Sequence, residues 1–175
     1  MNGVQLHYVE AGGTTEGGGG QRPLMVFCHG FPEFWFAWRH QLEHFSRAGY
    51  RVVALDIRGY GESEKPVGLD KFHIMEFVND IKALVDHLGE KKFTLVGHDW
   101  GGAISWTFAA FFPEMLDNLI ICNCPHIIAI RWMKKIIHRH TELHQINNNY
   151  RGAGVVQKLK SWYFIFFQVS RECHF

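Results

Sequence analysis

The stretch Gly97-His98-Asp99-Trp100-Gly101-Gly102 holds residue types at a spacing that could do chemistry. The apolar run Phe93-Thr94-Leu95-Val96 precedes it, and the helix-like run Ala103-Ile104-Ser105-Trp106-Thr107-Phe108-Ala109-Ala110 follows. Strand, Gly-x-nucleophile-x-Gly, helix is the layout of a nucleophile elbow. Serine is the usual occupant of the middle position; here it is Asp99. A carboxylate attacking a carbonyl compound gives a reactive anhydride, whereas one attacking an alkyl carbon gives an ordinary ester. Asp99 therefore suits opening of an epoxide or displacement of a halide, followed by hydrolysis of the ester. So sharp a turn forces its central residue into sparsely populated backbone angles. Side chains two before and two after it would collide, which Gly97 and Gly101 avoid. The other reading is an ordinary strand-to-helix turn with Asp99 as its N-cap, a position aspartate favours.

An elbow nucleophile needs two N–H donors for the oxyanion, one from the following residue and one from a loop after an earlier strand. Leu24-Met25-Val26-Phe27-Cys28 reads as that strand and His29-Gly30-Phe31-Pro32-Glu33 as that loop. Phe31 N–H is the natural loop donor and Trp100 N–H its partner. Pro32 has no N–H and stiffens the loop. Arg51-Val52-Val53-Ala54-Leu55-Asp56 followed by Arg58-Gly59-Tyr60-Gly61-Glu62-Ser63 reads as a second buried strand ending in a glycine-rich turn.

With these motifs in this order and spacing, the chain resembles the epoxide hydrolases of the α/β-hydrolase superfamily, from about Val4 to about Gln168. The resemblance implies Asp99 as nucleophile, Phe31 and Trp100 as oxyanion donors, and a cis bond before Pro32. It also implies that tyrosines in a helical lid hold and protonate the epoxide oxygen. One lies four residues before a Phe-Gln pair, and Phe167-Gln168 puts Tyr163 in that place. As an alternative, Tyr163 packs among Trp162, Phe164, Phe166 and Phe167. The implied reaction converts a small-molecule epoxide to a diol with no cofactor. The related haloalkane dehalogenation shares the Asp nucleophile. His-Gly-Phe-Pro-Glu favours the epoxide reading, while Trp35 and Trp38 keep the halide reading open.

The elements that must position these residues follow from pattern. Val4 to Glu10 alternates like an edge strand. Phe36 to Arg47 reads as a helix ended near Gly49. A helix from His73 to Leu88 carries Ile74, Phe77, Val78, Ile81, Leu84, Val85 and Leu88 on one face, with Gly89 closing it. Asn118 to Asn123 is the strand after the elbow helix. Alternating strands and helices predict an α/β fold, a mostly parallel sheet with helices on both faces. In the superfamily order the nucleophile comes first and the histidine base last. The sequence thus predicts an α/β-hydrolase core over 1–125, incomplete for want of its later strands. The start of a helical lid with an atypical tail follows over 126–175. The acid, the base and a second lid tyrosine are expected beyond Phe175, as in a truncated isoform or partial gene product, leaving the chain non-catalytic and the 118–123 strand without outer neighbours.

Composition agrees. The 175 residues are 47% hydrophobic, enough for a core, and the net charge of +1 implies no nucleic-acid partner. Cys28, Cys122, Cys124 and Cys173 show no metal or disulfide spacing, which predicts a reducing, cytoplasmic setting. No apolar run reaches the ~18 residues of a membrane span. Membrane association stays open through a preceding anchor, or through a lid helix with Arg131, Lys134, Lys135 and Arg139 on one face. Gly12 to Gly20 reads as a mobile loop, without the Lys-Ser/Thr of a phosphate cradle. His140-Thr141-Glu142-Leu143-His144 lacks the His-Glu-x-x-His order of a zinc helix, so no metal is expected. His98 points away from Asp99 if the strand runs straight. It reads as a hydrogen-bonding residue, and His29 as one that shapes its loop.

Overall fold

The computed structural model describes residues 1–13 and 22–126, and the backbone of 164–167. Runs apolar at nearly every position favour strands buried on both faces. Four of them form β2 (Leu24–Cys28), β3 (Arg51–Leu55), β4 (Phe93–His98) and β5 (Leu116–Cys122). These pair in parallel in the order β3-β2-β4-β5. β1 (Tyr8–Ala11) adds antiparallel beside β3, and β6 (Phe164–Phe167) antiparallel beside β5. Register places Val53, Val26, Leu95 and Leu119 in one row across the sheet.

Because side chains alternate along a strand, each strand feeds two cores. The row just named faces α2 (Ile74–His87) and α3 (Trp100–Phe111), with Ile81, Leu84, Ile104 and Phe108 packed over it. Met25, Phe27, Val52, Ala54 and Val96 face the other way, against Trp38 and Leu42 of the segment leading into and through α1 (Arg39–Arg47). Each fully buried side chain of this size contributes about 1.5–3 kcal/mol by leaving water. The two cores therefore hold the sheet against its helices and fix the ends of β2 and β4, where the chemistry-bearing residues stand.

Three sequence expectations shift. The first strand is shorter than Val4–Glu10. Residues before Tyr8 bond instead to the turn after β3, through Glu64 N–H to Gln5 O at 2.8 Å and His7 N–H to Ser63 Oγ at 2.8 Å. The helix expected over 36–47 opens as a tight 3-10 turn, Trp35–Trp38, before α1 begins; such turns are common at helix N-termini. The third shift is at the C-terminal part. Phe164–Phe167, assigned to a helical lid, is a strand, and it pairs with the edge of β5 that was expected to lie bare. Four consecutive aromatic or β-branched residues suit a pleated strand. Residues 14–20 of the glycine-rich loop, the 131–144 basic and histidine-rich segment and Tyr163 lie outside the described residues.

Candidate active site

Asp99 stands between the end of β4 and the first turn of α3, with φ 51° and ψ −118°. That is the left-handed half of backbone space, costly for a residue with a Cβ. Its carboxylate makes no capping bond to α3. Instead Oδ1 accepts the Phe31 N–H at 3.0 Å. The N-cap alternative therefore fails on geometry. The glycines explain how the turn closes. A Cβ on Gly97 would run into the Ser105 hydroxyl and the Gly101 carbonyl; one on Gly101 would meet the carbonyls of Cys28 and His29. Gly30 lies so near Asp99 that a Cβ there would stand 2.5 Å from the Asp99 Cβ. Trp100 is the first residue of α3, so its N–H has no acceptor within the helix.

The Phe31–Pro32 peptide is cis. Glu33 closes the same loop, its N–H on Gly30 O at 3.0 Å and its Oε2 accepting the Gly30 N–H at 3.1 Å. Fully buried His29 donates from Nδ1 to Gly30 O at 2.9 Å and accepts the Ile57 N–H at Nε2, 3.1 Å. These partners hold it as the neutral Nδ1–H form, and burial pushes its pKa below the ordinary value. His98 Nδ1 lies 3.2 Å from Glu33 Oε2, and its Nε2 3.4 Å from Asn123 Nδ2. His29 thus links its loop to the start of the turn after β3, and His98 lies against Glu33 and Asn123. Cys28 is sealed beneath them; burial, then the negative charge of Asp80, pushes its thiol up to about 12.

Two constellations escaped the sequence reading. Asp56, at the end of β3, is fully buried, and its carboxylate accepts the Trp35 N–H at 2.6 Å and the Glu62 N–H at 3.1 Å. It also lies 2.8 Å from His7 Nδ1. It therefore ties the donor loop to the turn after β3. Arg58, buried in that turn, grips Asp80 of α2 with two 2.6 Å bonds and donates to Lys71 O at 2.7 Å. The Asp80 hydrogen bonds raise the Arg58 guanidinium and outweigh burial, which pushes its pKa down. The signal available was a carboxylate and a guanidinium flanking a buried strand end, and it pointed to solvent as readily as to burial.

A cavity of ≈ 530 Å³ opens beside Asp99, walled by Phe31, Trp100, Tyr60, Phe72, Phe77 and Ile104 among others. Among the described residues, no group of three or more His, Cys, Asp or Glu could hold a metal ion, and no helix is long and apolar enough to cross a membrane. The structure thus brings His29, Gly30, Phe31, Pro32, Gly97, His98, Asp99, Trp100 and Gly101 into one place. Tyr163 lies outside the described residues.

A strained Asp between glycines, facing a loop N–H across parallel strands, decides the comparison with known proteins. Residues 23–152 match the family model of the alpha/beta hydrolase fold. The chain belongs to the α/β-hydrolase family. Within it, the chain is 42% identical over 170 residues to epoxide hydrolase 4 of Mus musculus, covering 97% of this chain and 41% of that protein. It is 42% identical over 165 residues to epoxide hydrolase 1 of Caenorhabditis elegans, covering 94% and 35%. Among solved structures, the epoxide hydrolase VrEH1 of Vigna radiata superposes with a TM-score of 0.66 at 40% identity, over 72% of this chain and 39% of that one. A variant epoxide hydrolase from Bacillus megaterium, complexed with its diol product, gives 0.64 at 48% identity, over 71% and 41%. This α/β-hydrolase chain spans about two fifths of the length of such relatives.

Proposed function

We propose that this chain carries the ester-forming half of an epoxide hydrolase. The observation that carries the reading is the Asp99 carboxylate, held on a strained turn by the Phe31 N–H at 3.0 Å while leaving α3 uncapped. One carboxylate oxygen attacks a ring carbon of the epoxide from behind. The C–O bond to that carbon breaks, the oxygen takes a proton, and a hydroxyalkyl ester of Asp99 remains. Tyr163, the lid tyrosine of the resemblance, supplies that proton. In the complete reaction, water activated by a base attacks the ester carbonyl, Phe31 and Trp100 N–H groups hold the oxyanion, and a diol leaves.

The second half needs a free histidine facing the ester. Of the two histidines nearest Asp99 in the sequence motifs, His29 has both nitrogens engaged and His98 lies between Glu33 and Asn123, so neither supports a base there among the described residues. The reading therefore has the chain form the ester without turning it over. The halide alternative finds less support at Trp38, which packs on Phe27 on the α1 side of the sheet. The test is to incubate residues 1–175 with an aryl epoxide and with a matched aryl chloroalkane, assaying diol and halide. The expected result is no steady diol above an Asp99→Ala control, and no halide release. Sustained diol formation that needs Asp99 would overturn the half-reaction. Halide release without epoxide consumption would overturn the substrate class.

A further inference from the structure

We infer that Asn2 is a site of spontaneous deamidation, and that its conversion to aspartate or isoaspartate is a one-way release of this segment from α2. Asn2 and Gly3 have φ 45° and 73°, and the Val4 N–H donates to Met1 O at 3.0 Å. That is a tight turn with two left-handed central residues, the conformation that Asn-Gly suits best. Both residues are exposed, and a Cβ on Gly3 would meet nothing within 4 Å. The Asn2 side chain clasps α2. Its Nδ2 donates to Asp80 Oδ1 at 3.0 Å, to Glu76 O at 3.2 Å and to Glu76 Oε2 at 3.3 Å, two hydrogens serving three acceptors. Val4 and Leu6, just beyond the turn, are buried in the core that α2 covers.

The turn thus uses the dipeptide whose own chemistry can undo it. The Gly3 backbone nitrogen, once it has lost its proton, attacks Asn2 Cγ. The new N–C bond closes a five-membered succinimide ring, and Nδ2 leaves as ammonia. Water then opens one of the two ring carbonyls. One opening gives aspartate at position 2, the other an isoaspartate with a main chain one carbon longer. Ammonia is lost and one water is gained, so no oxidant or cofactor enters. Gly3 has no side chain to obstruct the attack. The clasp is what restrains it: while Nδ2 is tied to Asp80 and Glu76, Asn2 Cγ is held toward α2, so the ring closes from the released turn. After conversion the group is a carboxylate, which donates nothing. It would stand beside the carboxylates of Asp80 and Glu76, so repulsion replaces the donated bonds and the clasp does not re-form.

The experiment ages residues 1–175 at mildly alkaline pH beside a free peptide of residues 1–8. Conversion is read as the mass gain of an acid over an amide, mapped to Asn2 by fragmentation, with isoaspartate counted by isoaspartyl methylation. The chain is expected to convert at Asn2 roughly tenfold slower than the peptide, the scale of one or two surface hydrogen bonds. Glu76→Ala, which removes one acceptor from the part-exposed side of α2, should bring the rate closer to that of the peptide. Asn2→Gln should gain no mass at that position, because the larger ring closes far more slowly. Asn2→Asp reproduces the product and should have a lower urea midpoint than the parent. Conversion as fast as in the peptide, or no faster in Glu76→Ala than in the parent, would show that the clasp restrains nothing. An intact Asn2 long after the peptide has converted fully would show that the site is closed. An unchanged midpoint in Asn2→Asp would show that conversion releases nothing. Each of these results overturns the proposal.

Discussion

Asp99 differs from a capping aspartate in both torsion and partner. A cap residue sits in extended space and turns its carboxylate back onto its own helix. Asp99 has φ 51° and turns its carboxylate across the sheet to Phe31. The loop that carries Phe31 is tied down by His29, through Gly30 O and the Ile57 N–H. The fold holds His29 neutral, because burial pushes its pKa below the ordinary 6.5. A base whose folded pKa is depressed adds stability that is present above the unfolded value and is lost as the pH falls toward the folded one. We therefore expect urea midpoints to be level above about pH 7 and to fall below 6.5. This one group contributes a slope of up to ~1.4 kcal/mol per pH unit. His29→Gln should be less stable at pH 8 yet less sensitive to acid. Equal acid slopes in the two proteins would contradict the assignment. Asp56 makes a second test. Asp56→Asn replaces one acceptor oxygen by a donor facing the N–H groups of Trp35 and Glu62. The expected cost is about 1–3 kcal/mol, by chemical denaturation. A neutral change would mean that Asp56 does not hold the two loops together.

At the scale of elements, the turn after β3 is fastened to α2 by one buried ion pair. Asp80 takes two 2.6 Å bonds from Arg58, and Asn2 Nδ2 adds a third at 3.0 Å. Removing Asp80 leaves the buried Arg58 with only the part-exposed Glu76, 3.2 Å away, as counter-charge, so Asp80→Asn is expected to cost up to about 3–5 kcal/mol. Adding Arg58→Met to that variant should cost little more, since the orphaned cation is then gone. Full additivity in the cycle would show that the pair is not coupled. How much of these elements was legible depends on range. β2, β3, β4 and the elbow were readable because each is a short run whose own pattern dictates its burial. The helix over 73–88 was readable to within a residue of α2 because its apolar face repeats at helical spacing. The pairing of Phe164–Phe167 with β5 was not, because a strand's partner some forty residues away leaves no local mark. Nor was the burial of Asp56 or Arg58, since their partners come from Trp35, His7, Lys71 and Asp80.

At the scale of the whole molecule, one sheet gathers what the sequence scatters. Residues near 30, 57 and 100 meet because β2, β3 and β4 are adjacent and parallel, so their C-terminal ends share one rim. Ligand sites of open α/β sheets form beyond those ends, and here the rim holds Asp99, the Phe31 N–H and the cavity walled by Phe31 and Trp100. The central claim is that Asp99 is the nucleophile, and its most direct test is the mass of the protein after incubation with an aryl epoxide. The account predicts a mass increase of one epoxide per chain, mapped by peptide fragmentation to the carboxylate of Asp99. It should be absent in Asp99→Asn and slowed at least ~10²-fold in Tyr163→Phe. A chain that stays unmodified, or an adduct on a cysteine or histidine with Asp99 untouched, would contradict it.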